Sequence, residues 1–304
     1  MAKTKGYGVM PAAMTFWNAD ESYNQKETER YLQWLIDKGA QSLSITGSTG
    51  ENISMGMEEQ KRIMESMLRF IDGQVPVYAG TGRYTTAETI ELSLHAKTSG
   101  ADGVLVIMPY YLIPHKRAVM NHFLELRKAV GSELEICLYN NPRFCSYEMN
   151  ALEVKQMYDN GSINAIKAAH GDPERIHSLR YHCGEGLTVL YGHDYAPMEG
   201  FFAKADGWLS GMPAVLPKFC RTLFDICTVE KNVDKANAYW MKIMPFIDYF
   251  ITYNSNDPHW HEVFKYVLAC QGFESGLPRR PLGALADDEK KKIDRLLASM
   301  GDIL

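Results

Sequence analysis

The stretch Gly103-Val104-Leu105-Val106-Ile107-Met108 is almost wholly apolar, and no polar residues alternate along it. A strand with one face in water alternates apolar and polar side chains, whereas a strand covered on both faces does not. We therefore expect residues 103–108 to form a buried strand of a parallel sheet. The strand is followed by Pro109-Tyr110-Tyr111 and then by an amphipathic stretch that begins at Lys116. This order predicts a strand, a loop and a helix.

The same unit recurs along the chain. Seven more short apolar segments are candidate strands: Tyr7–Ala13, Gln41–Thr46, Val75–Ala79, Leu134–Tyr139, Ile163–Lys167, Leu187–Tyr191 and Gly207–Gly211. Segments with helical spacing follow the strands: Lys26–Lys38, Met57–Phe70, Thr86–Thr98, Lys116–Val130, Asn150–Asn160, Pro173–His182, Tyr195–Lys204 and Leu216–Val229. Eight such repeats predict an α/β protein, a (β/α)8 TIM barrel. A doubly wound sheet is the alternative, but its glycine fingerprint is missing from the first turn.

The pattern changes after Val229. The segments Asn232–Tyr253, Trp260–Gly272 and Ala286–Met300 have helical spacing with no strands between them. We therefore expect a catalytic barrel over residues 1–229 and a C-terminal helical cap over residues 230–304.

Composition excludes several classes of protein. The 304 residues are 46% hydrophobic and 23% charged, which is typical of a globular chain with a substantial core. A net charge of −5 argues against nucleic acid or an anionic membrane as partner. No apolar run approaches the roughly 20 residues of a membrane span, and the N-terminus lacks the apolar core of a signal peptide, so we expect a cytoplasmic protein. The six cysteines form no C-x-x-C pair and are expected to be reduced, mostly buried thiols.

Lys167 is the first candidate for chemistry. The reacting groups of a (β/α)8 barrel lie at the C-terminal ends of its strands, and Lys167 closes one of them among small apolar residues. Burial of a lysine lowers its pKa and leaves an amine that can attack a carbonyl carbon. The alternative is a lysine that extends to solvent at the barrel rim.

Three loops carry the other candidate groups. Gly47-Ser48-Thr49-Gly50-Glu51 offers hydroxyl and backbone donors that suit a carboxylate, or it is an ordinary turn. Tyrosines in Tyr139-Asn140-Asn141-Pro142 and in Pro109-Tyr110-Tyr111 either transfer protons or pack as aromatic residues. All of these groups fall on one face of one barrel. An amine, a carboxylate cradle and tyrosine hydroxyls are what a Schiff-base enzyme acting on a 2-oxo acid requires.

These motifs together resemble those of the dihydrodipicolinate synthase/N-acetylneuraminate lyase superfamily over nearly the whole chain. The Gly47–Glu51 segment is similar to its carboxylate-binding motif, and Tyr139-Asn140-x-Pro142 to its tyrosine motif. Lys167, within Ile-Lys-x-x-x-Gly-Asp, is similar to its Schiff-base lysine. Pro109-Tyr110-Tyr111 and Arg280-Pro281-Leu282 also match.

The resemblance implies a role for each residue. Lys167 would form an imine with pyruvate or another 2-oxo acid, Tyr139 would shuttle protons, and Ser48 would join Tyr139 in a proton relay. Ser48 and Thr49 would hold the carboxylate. Tyr111 would enter the site of a neighbouring subunit, so the resemblance implies a homodimer or a homotetramer built as a dimer of dimers. No metal or organic cofactor is implied, because the lysine itself supplies the electron sink.

At the positions that set substrate specificity, the chain departs from both well-known branches of the superfamily. Lysine-pathway synthases usually carry an Arg where this chain has Phe144, and Arg143 lies one position early. This shift would point its side chain elsewhere unless the loop bulges. The sialic acid lyase branch has Gly-x-Asp-Glu after strand seven, where this chain has Gly192-His193-Asp194-Tyr195, and Ala169 replaces its threonine.

The remaining polar candidates have two interpretations each. Asp194 would bind a substrate hydroxyl or cap the next helix, and His193 would contact the second substrate or lie on the loop surface. His259 and His261 lack a clear third ligand for a metal, so we expect surface positions at a helix start. Arg143, Asp194, Gly47 and Gly211 join Thr49 as predicted substrate-binding positions.

The sequence thus predicts a class I, lysine-dependent lyase or aldolase acting on a 2-oxo acid and an aldehyde-type partner, or dehydrating a 2-keto-3-deoxy acid. The alternative enzyme is the 4-hydroxy-tetrahydrodipicolinate synthase of lysine biosynthesis. The alternative from another class is a barrel that binds a 2-oxo acid without turnover.

Overall fold

The computed structural model describes residues 4–145, 147–252 and 258–303, in which eight short parallel strands form one sheet. The strands are β1 Gly8–Pro11, β2 Leu43–Ile45, β3 Val77–Gly80, β4 Gly103–Ile107, β5 Glu135–Asn140, β6 Ala165–Ala168, β7 Thr188–Tyr191 and β8 Gly207–Ser210. Each strand pairs with the next in the chain from β2 to β8, and β8 pairs with β1. A parallel bridge between Ala12 and Ser44 joins the two remaining edges. The expected (β/α)8 barrel is confirmed.

Helices connect the strands and cover the outside of the barrel. They are α1 Gln25–Asp37, α2 Met57–Ile71, α3 Thr86–Thr98, α4 Lys116–Val130, α5 Pro142–Cys145, α6 Ala151–Asp159, α7 Glu174–Cys183, α8 Pro197–Phe202, α9 Met212–Val215 and α10 Pro217–Asp225. The single-turn helices α5 and α9 were not expected from the sequence. Each lies directly after a strand, so each shapes the rim of the barrel at the end where the site is expected.

The strands are buried on both faces. Val104 and Val106 of β4 pack into the large core between the sheet and its helices, whereas Leu105 belongs to a second cluster with Tyr78 and Cys137. Because side chains alternate along a strand, one cluster lines each face of the sheet. Ala165, two residues before Lys167, and Tyr139 belong to the same cluster as Leu105. Alternation therefore directs Lys167 to that inner face.

The described chain after β8 contains helices and no strands. A π-helical turn, Ile226–Glu230, extends α10, and the later helices are α11 Val233–Trp240, α12 Met244–Thr252, α13 Trp260–Cys270 and α14 Asp287–Met300. The π-helical turn crosses the expected domain boundary at residue 229, and the division there stays a prediction.

The prediction of one continuous helix over Asn232–Tyr253 is wrong. The chain turns at residues 241–243 between α11 and α12. Pro245 is the second residue of α12, and a proline has no N–H and clashes with the preceding turn of a helix, so it is tolerated only where a new helix begins. Tyr253 lies outside the described residues.

The cysteines behave as expected. All six are free, and Cys137, Cys145, Cys220 and Cys227 are buried. In the part of the chain that the structure describes, no helix combines the length and the apolar character needed to cross a bilayer.

Candidate active site

A cavity of about 300 Å³ opens at the C-terminal ends of the strands. Its lining combines residues from strand ends and the loops that follow them with residues of the C-terminal helices α12 and α13. The first group includes Ser48, Thr49, Tyr139, Arg143, Lys167, Asp194 and Gly211, and the second includes Phe250, Trp260 and Phe264. The structure therefore brings together seven of the nine predicted site residues. Gly47 and Tyr111 do not line the cavity.

Lys167 lies on the cavity floor beside Tyr139. The parallel register of β5 and β6 pairs the two residues directly, and the Lys167 Nζ lies 4.0 Å from the centre of the Tyr139 ring. Lys167 is 5% exposed and Tyr139 is 6% exposed. The alternative in which Lys167 extends to solvent at the rim is therefore wrong.

Gly192 gives Lys167 room on its other side. A Cβ at position 192 would lie 2.7 Å from the Lys167 Cγ and 3.0 Å from the Ala169 Cβ. Any side chain at this position would push the lysine stem out of place, so the loop after β7 can approach β6 this closely only with glycine.

Asn141 fixes the Tyr139 hydroxyl. Its Oδ1 accepts hydrogen bonds from the backbone N–H groups of Arg143 and Phe144, at 3.0 and 3.3 Å, which orients the amide. Its Nδ2 then donates to the Tyr139 Oη at 3.0 Å. Among the described residues no direct bond joins Ser48 to Tyr139, so the expected relay between them is not closed by a protein–protein contact. A phenol that accepts from an amide keeps its own proton for a group in the cavity.

The Ser48–Thr49 turn carries a backbone hydrogen-bond donor that has no acceptor among the described residues. Thr49 is 6% exposed, yet within the described residues its backbone N–H donates to no protein group. Buried backbone N–H groups are nearly always paired, so this one points to a ligand with an acceptor oxygen. Ser48 and Thr49 both line the cavity. Gly47 contributes to the turn itself, because its carbonyl accepts from the Asn52 N–H at 3.2 Å.

Arg143 and Phe144 both line the cavity. Arg143 therefore lies at the cavity despite the shift of one residue. The chain forms the helical turn α5 at these residues instead of an extended loop, so neighbouring side chains both reach the mouth of the cavity.

Asp194 connects two loops of the rim. Its Oδ1 accepts from the Met212 N–H at 3.2 Å, at the start of α9, while the N-cap of the next helix, α8, is Ala196. The prediction that Asp194 caps the next helix is therefore wrong. Its side chain instead binds the first N–H of α9, the helix that follows β8. Burial raises the pKa of Asp194 to about 6, against the opposing effect of its hydrogen bond with Ser210.

His193 faces the cavity as a neutral imidazole. Its Nδ1 is buried and, within the described residues, has no hydrogen-bond partner. Burial lowers the pKa of His193 to about 4, helped by the positive charges of Arg143 and Lys167. Its backbone carbonyl accepts from Trp208 Nε1 at 2.9 Å, which holds the loop.

His261 is not on the surface, so that expectation is wrong. It is buried on α13, and its Nε2 lies 3.0 Å from the Ser48 carbonyl oxygen. His259 does start the helix, as expected, and forms a capping box with Glu262. Across residues 4–145, 147–252 and 258–303, no three His, Cys, Asp or Glu side chains lie together as a metal site.

Tyr111 extends away from the cavity of its own chain. It is 90% exposed and has a φ of 71°, a backbone conformation that non-glycine residues rarely adopt. Leu112 and Ile113 beside it are also exposed.

Comparison with known proteins agrees with this geometry. Residues 5–300 match the model of the dihydrodipicolinate synthetase family. The 4-hydroxy-tetrahydrodipicolinate synthase of Bartonella bacilliformis is 32% identical over 299 residues, which cover 97% of this chain and 98% of that protein.

Solved structures are similar over the same length. A dihydrodipicolinate synthase from Acinetobacter baumannii, complexed with pyruvate, is 28% identical with a TM-score of 0.89 and covers 97% of this chain and 99% of that one. A sialic acid aldolase of Ruminococcus gnavus, a catalytic lysine mutant, shares the fold at 22% identity and a TM-score of 0.89, over 98% and 97% of the two chains. The chain therefore belongs to the dihydrodipicolinate synthetase family, and it is a class I, lysine-dependent lyase or aldolase.

Proposed function

We propose that Lys167 forms an imine with pyruvate or another 2-oxo acid and that the Ser48–Thr49 turn holds its carboxylate. The observation that carries this proposal is the buried Lys167 amine beside Tyr139, in the same cavity as the unpaired Thr49 N–H. The pyruvate in the related A. baumannii structure supports the same substrate.

The reaction follows from the chemistry of the imine. The lysine amine adds to the C2 ketone, water leaves, and the cationic nitrogen makes the C3 proton acidic. Loss of that proton gives an enamine, which adds to an aldehyde carbonyl. The reverse sequence, which starts from an aldol bound as its imine, breaks the carbon–carbon bond and leaves the enamine. When the bound 2-keto-3-deoxy acid carries a hydroxyl that can leave, the enamine expels it as water, which is a dehydration. We assign the proton transfers to Tyr139, whose hydroxyl Asn141 orients.

This chemistry needs no metal or organic cofactor, because the imine nitrogen accepts the developing charge. The six free thiols are typical of a reducing compartment, which supports the proposed cytoplasmic location.

A second candidate is the lysine-pathway activity, 4-hydroxy-tetrahydrodipicolinate synthase. Arg143 at the cavity mouth favours an electrophile with a carboxylate, such as aspartate semialdehyde, and the B. bacilliformis relative carries that name. Phe144, however, occupies the position at which that branch is expected to carry its arginine.

A substrate panel separates the two candidates. We expect the purified protein to release or consume pyruvate with an aldehyde or a 2-keto-3-deoxy acid at a rate at least about tenfold above its rate with aspartate semialdehyde.

Arg143→Gln tests the second candidate, because a charge-assisted bond to a carboxylate contributes about 1.5–3 kcal/mol. A loss of about tenfold or more in kcat/KM for aspartate semialdehyde only, in a protein for which it is the best substrate, would favour the lysine pathway. Pyruvate binding without turnover of any substrate would favour the non-catalytic barrel.

We also propose that the exposed segment Tyr111-Leu112-Ile113 packs against a second copy of the chain, in a homodimer or a homotetramer. Large apolar side chains that are this exposed in one chain are typical of an interface. Leu112→Asp should weaken self-association, measured by sedimentation, at least about tenfold, since it buries an unpaired charge. Turnover should fall with the associated fraction. A wild-type chain that is monomeric at micromolar concentration and fully active would contradict this proposal.

A further inference from the structure

Helix α13 makes two contacts with the loop after β2, one at the Ser48–Thr49 turn and one at Glu51, where this turn ends. The His261 Nε2 lies 3.0 Å from the Ser48 carbonyl oxygen, and the Lys265 Nζ lies 3.5 Å from the Glu51 Oε1. In each contact the two residues are more than 200 positions apart in the chain. Neither His261 nor Lys265 lines the catalytic cavity. His261 adjoins the site through the Ser48 carbonyl and through Trp260, a cavity residue on which its ring stacks at 3.6 Å between centroids.

The Glu51–Lys265 contact anchors the end of the turn. Glu51 is 4% exposed and Lys265 is 2% exposed, so both charges are removed from water. Glu51 also accepts from Trp17 Nε1 at 2.9 Å and from the Arg279 N–H at 2.8 Å. Lys265 also donates to the backbone carbonyls of Thr15 and Ser275. A buried ion pair with this many further hydrogen bonds holds one geometry, including the left-handed backbone of Glu51 (φ 61°).

The contact between His261 and Ser48 involves the peptide group that joins Ser48 to Thr49. The carbonyl of Ser48 and the N–H of Thr49 belong to the same planar trans unit, in which C=O and N–H point in opposite directions. The Ser48 carbonyl is directed at His261 and also accepts from the Glu51 N–H at 3.0 Å. The Thr49 N–H is therefore directed away from His261, and Thr49 lines the cavity. A donor to the carbonyl also polarises the peptide and strengthens the N–H as a donor on its other side.

We propose that His261 is a positioning residue for 2-oxo acid binding: it fixes the Ser48–Thr49 peptide so that the Thr49 N–H is presented to the substrate carboxylate. This inference rests on the proposed function of the turn. Burial lowers the pKa of His261 to about 3, so the imidazole is neutral at physiological pH, and the carbonyl acceptor places its one N–H on Nε2. The contribution of His261 to binding is therefore constant between pH 6 and pH 8.

Borohydride trapping of the pyruvate imine tests the proposal, with the yield measured against pyruvate concentration. His261→Leu removes the donor, and His261→Met does so with a more adaptable side chain should the leucine variant fail to fold. Each should raise the half-saturating pyruvate concentration about five- to tenfold, the usual effect of losing one hydrogen bond. His261→Gln carries an N–H that can reach the same carbonyl and should restore the wild-type value to within about twofold.

Acetone distinguishes positioning from a general structural defect, because it is a ketone without a carboxylate. The rate of acetone trapping should be equal in the wild type and in His261→Leu. His177→Leu, the same substitution at an exposed position on α7, is the matched control and should change neither reaction.

Three results would overturn the proposal: an unchanged half-saturating pyruvate concentration in the leucine and methionine variants, a parallel loss of pyruvate and acetone trapping, or a folded glutamine variant as defective as leucine. Thr49→Val separates this inference from the function itself. If Thr49→Val weakens pyruvate binding and His261→Leu does not, only the role of His261 fails. If pyruvate is not trapped by the wild type, the proposed function fails.

Discussion

Lys167→Ala should abolish turnover, with kcat/KM falling by on the order of 10³-fold or more, as is usual when a covalent nucleophile is removed. The amine is the group that makes the bond to the 2-oxo acid, and no other lysine lines the cavity within the described residues. The variant should fold, because truncation of one side chain at the cavity floor leaves the apolar clusters on both faces of the sheet complete.

Lys128→Ala is the matched control, since Lys128 is exposed on α4. Circular dichroism and thermal unfolding should be the same for both variants and the wild type, and Lys128→Ala should keep the full rate. A Lys167→Ala protein that retains near wild-type turnover would refute the imine mechanism.

Tyr139→Phe should slow turnover by about 10²- to 10⁴-fold, the usual contribution of a positioned proton donor or acceptor. The ring that packs against the Lys167 amine is retained, and only the hydroxyl that accepts from Asn141 is lost. We therefore expect the imine with pyruvate to form still, on a slower time course, and the carbon–carbon step to be the more affected.

The two steps can be followed separately, by borohydride trapping for the imine and by product formation for the complete reaction. Tyr181→Phe is the matched control, because Tyr181 is an exposed tyrosine on α7. Undiminished turnover in Tyr139→Phe would remove Tyr139 from the proton transfers.

The barrel could be predicted because its signal is local. Each strand is a short apolar run and each helix has its own period, so the eight units can be recognised one at a time. Lys167 and the Ser48–Thr49 turn could be placed for the same reason, since a parallel barrel brings all strand ends to one face. Pro245 marks the start of α12 in the sequence, but the helical spacing continues on either side of it. This continuity led to the prediction of one helix in place of α11 and α12.

The errors concern contacts between distant segments. The prediction that His261 lies on the surface is wrong because nothing near it in the sequence indicates its contact with Ser48, 213 positions away. Asp194 binds the first N–H of α9 because the loops after β7 and β8 are neighbours at the rim, which the order of the sequence does not show. The tyrosine motif predicts no role for Asn141, since its effect depends on the helical turn α5 that orients its amide.

The most direct measurement is mass spectrometry of the wild-type protein after incubation with pyruvate and borohydride. We expect one reduced pyruvate adduct per chain, and after proteolysis we expect it on the peptide that contains Lys167. An adduct on a different lysine, or none under conditions that label a known lysine-dependent aldolase, would contradict the imine at Lys167.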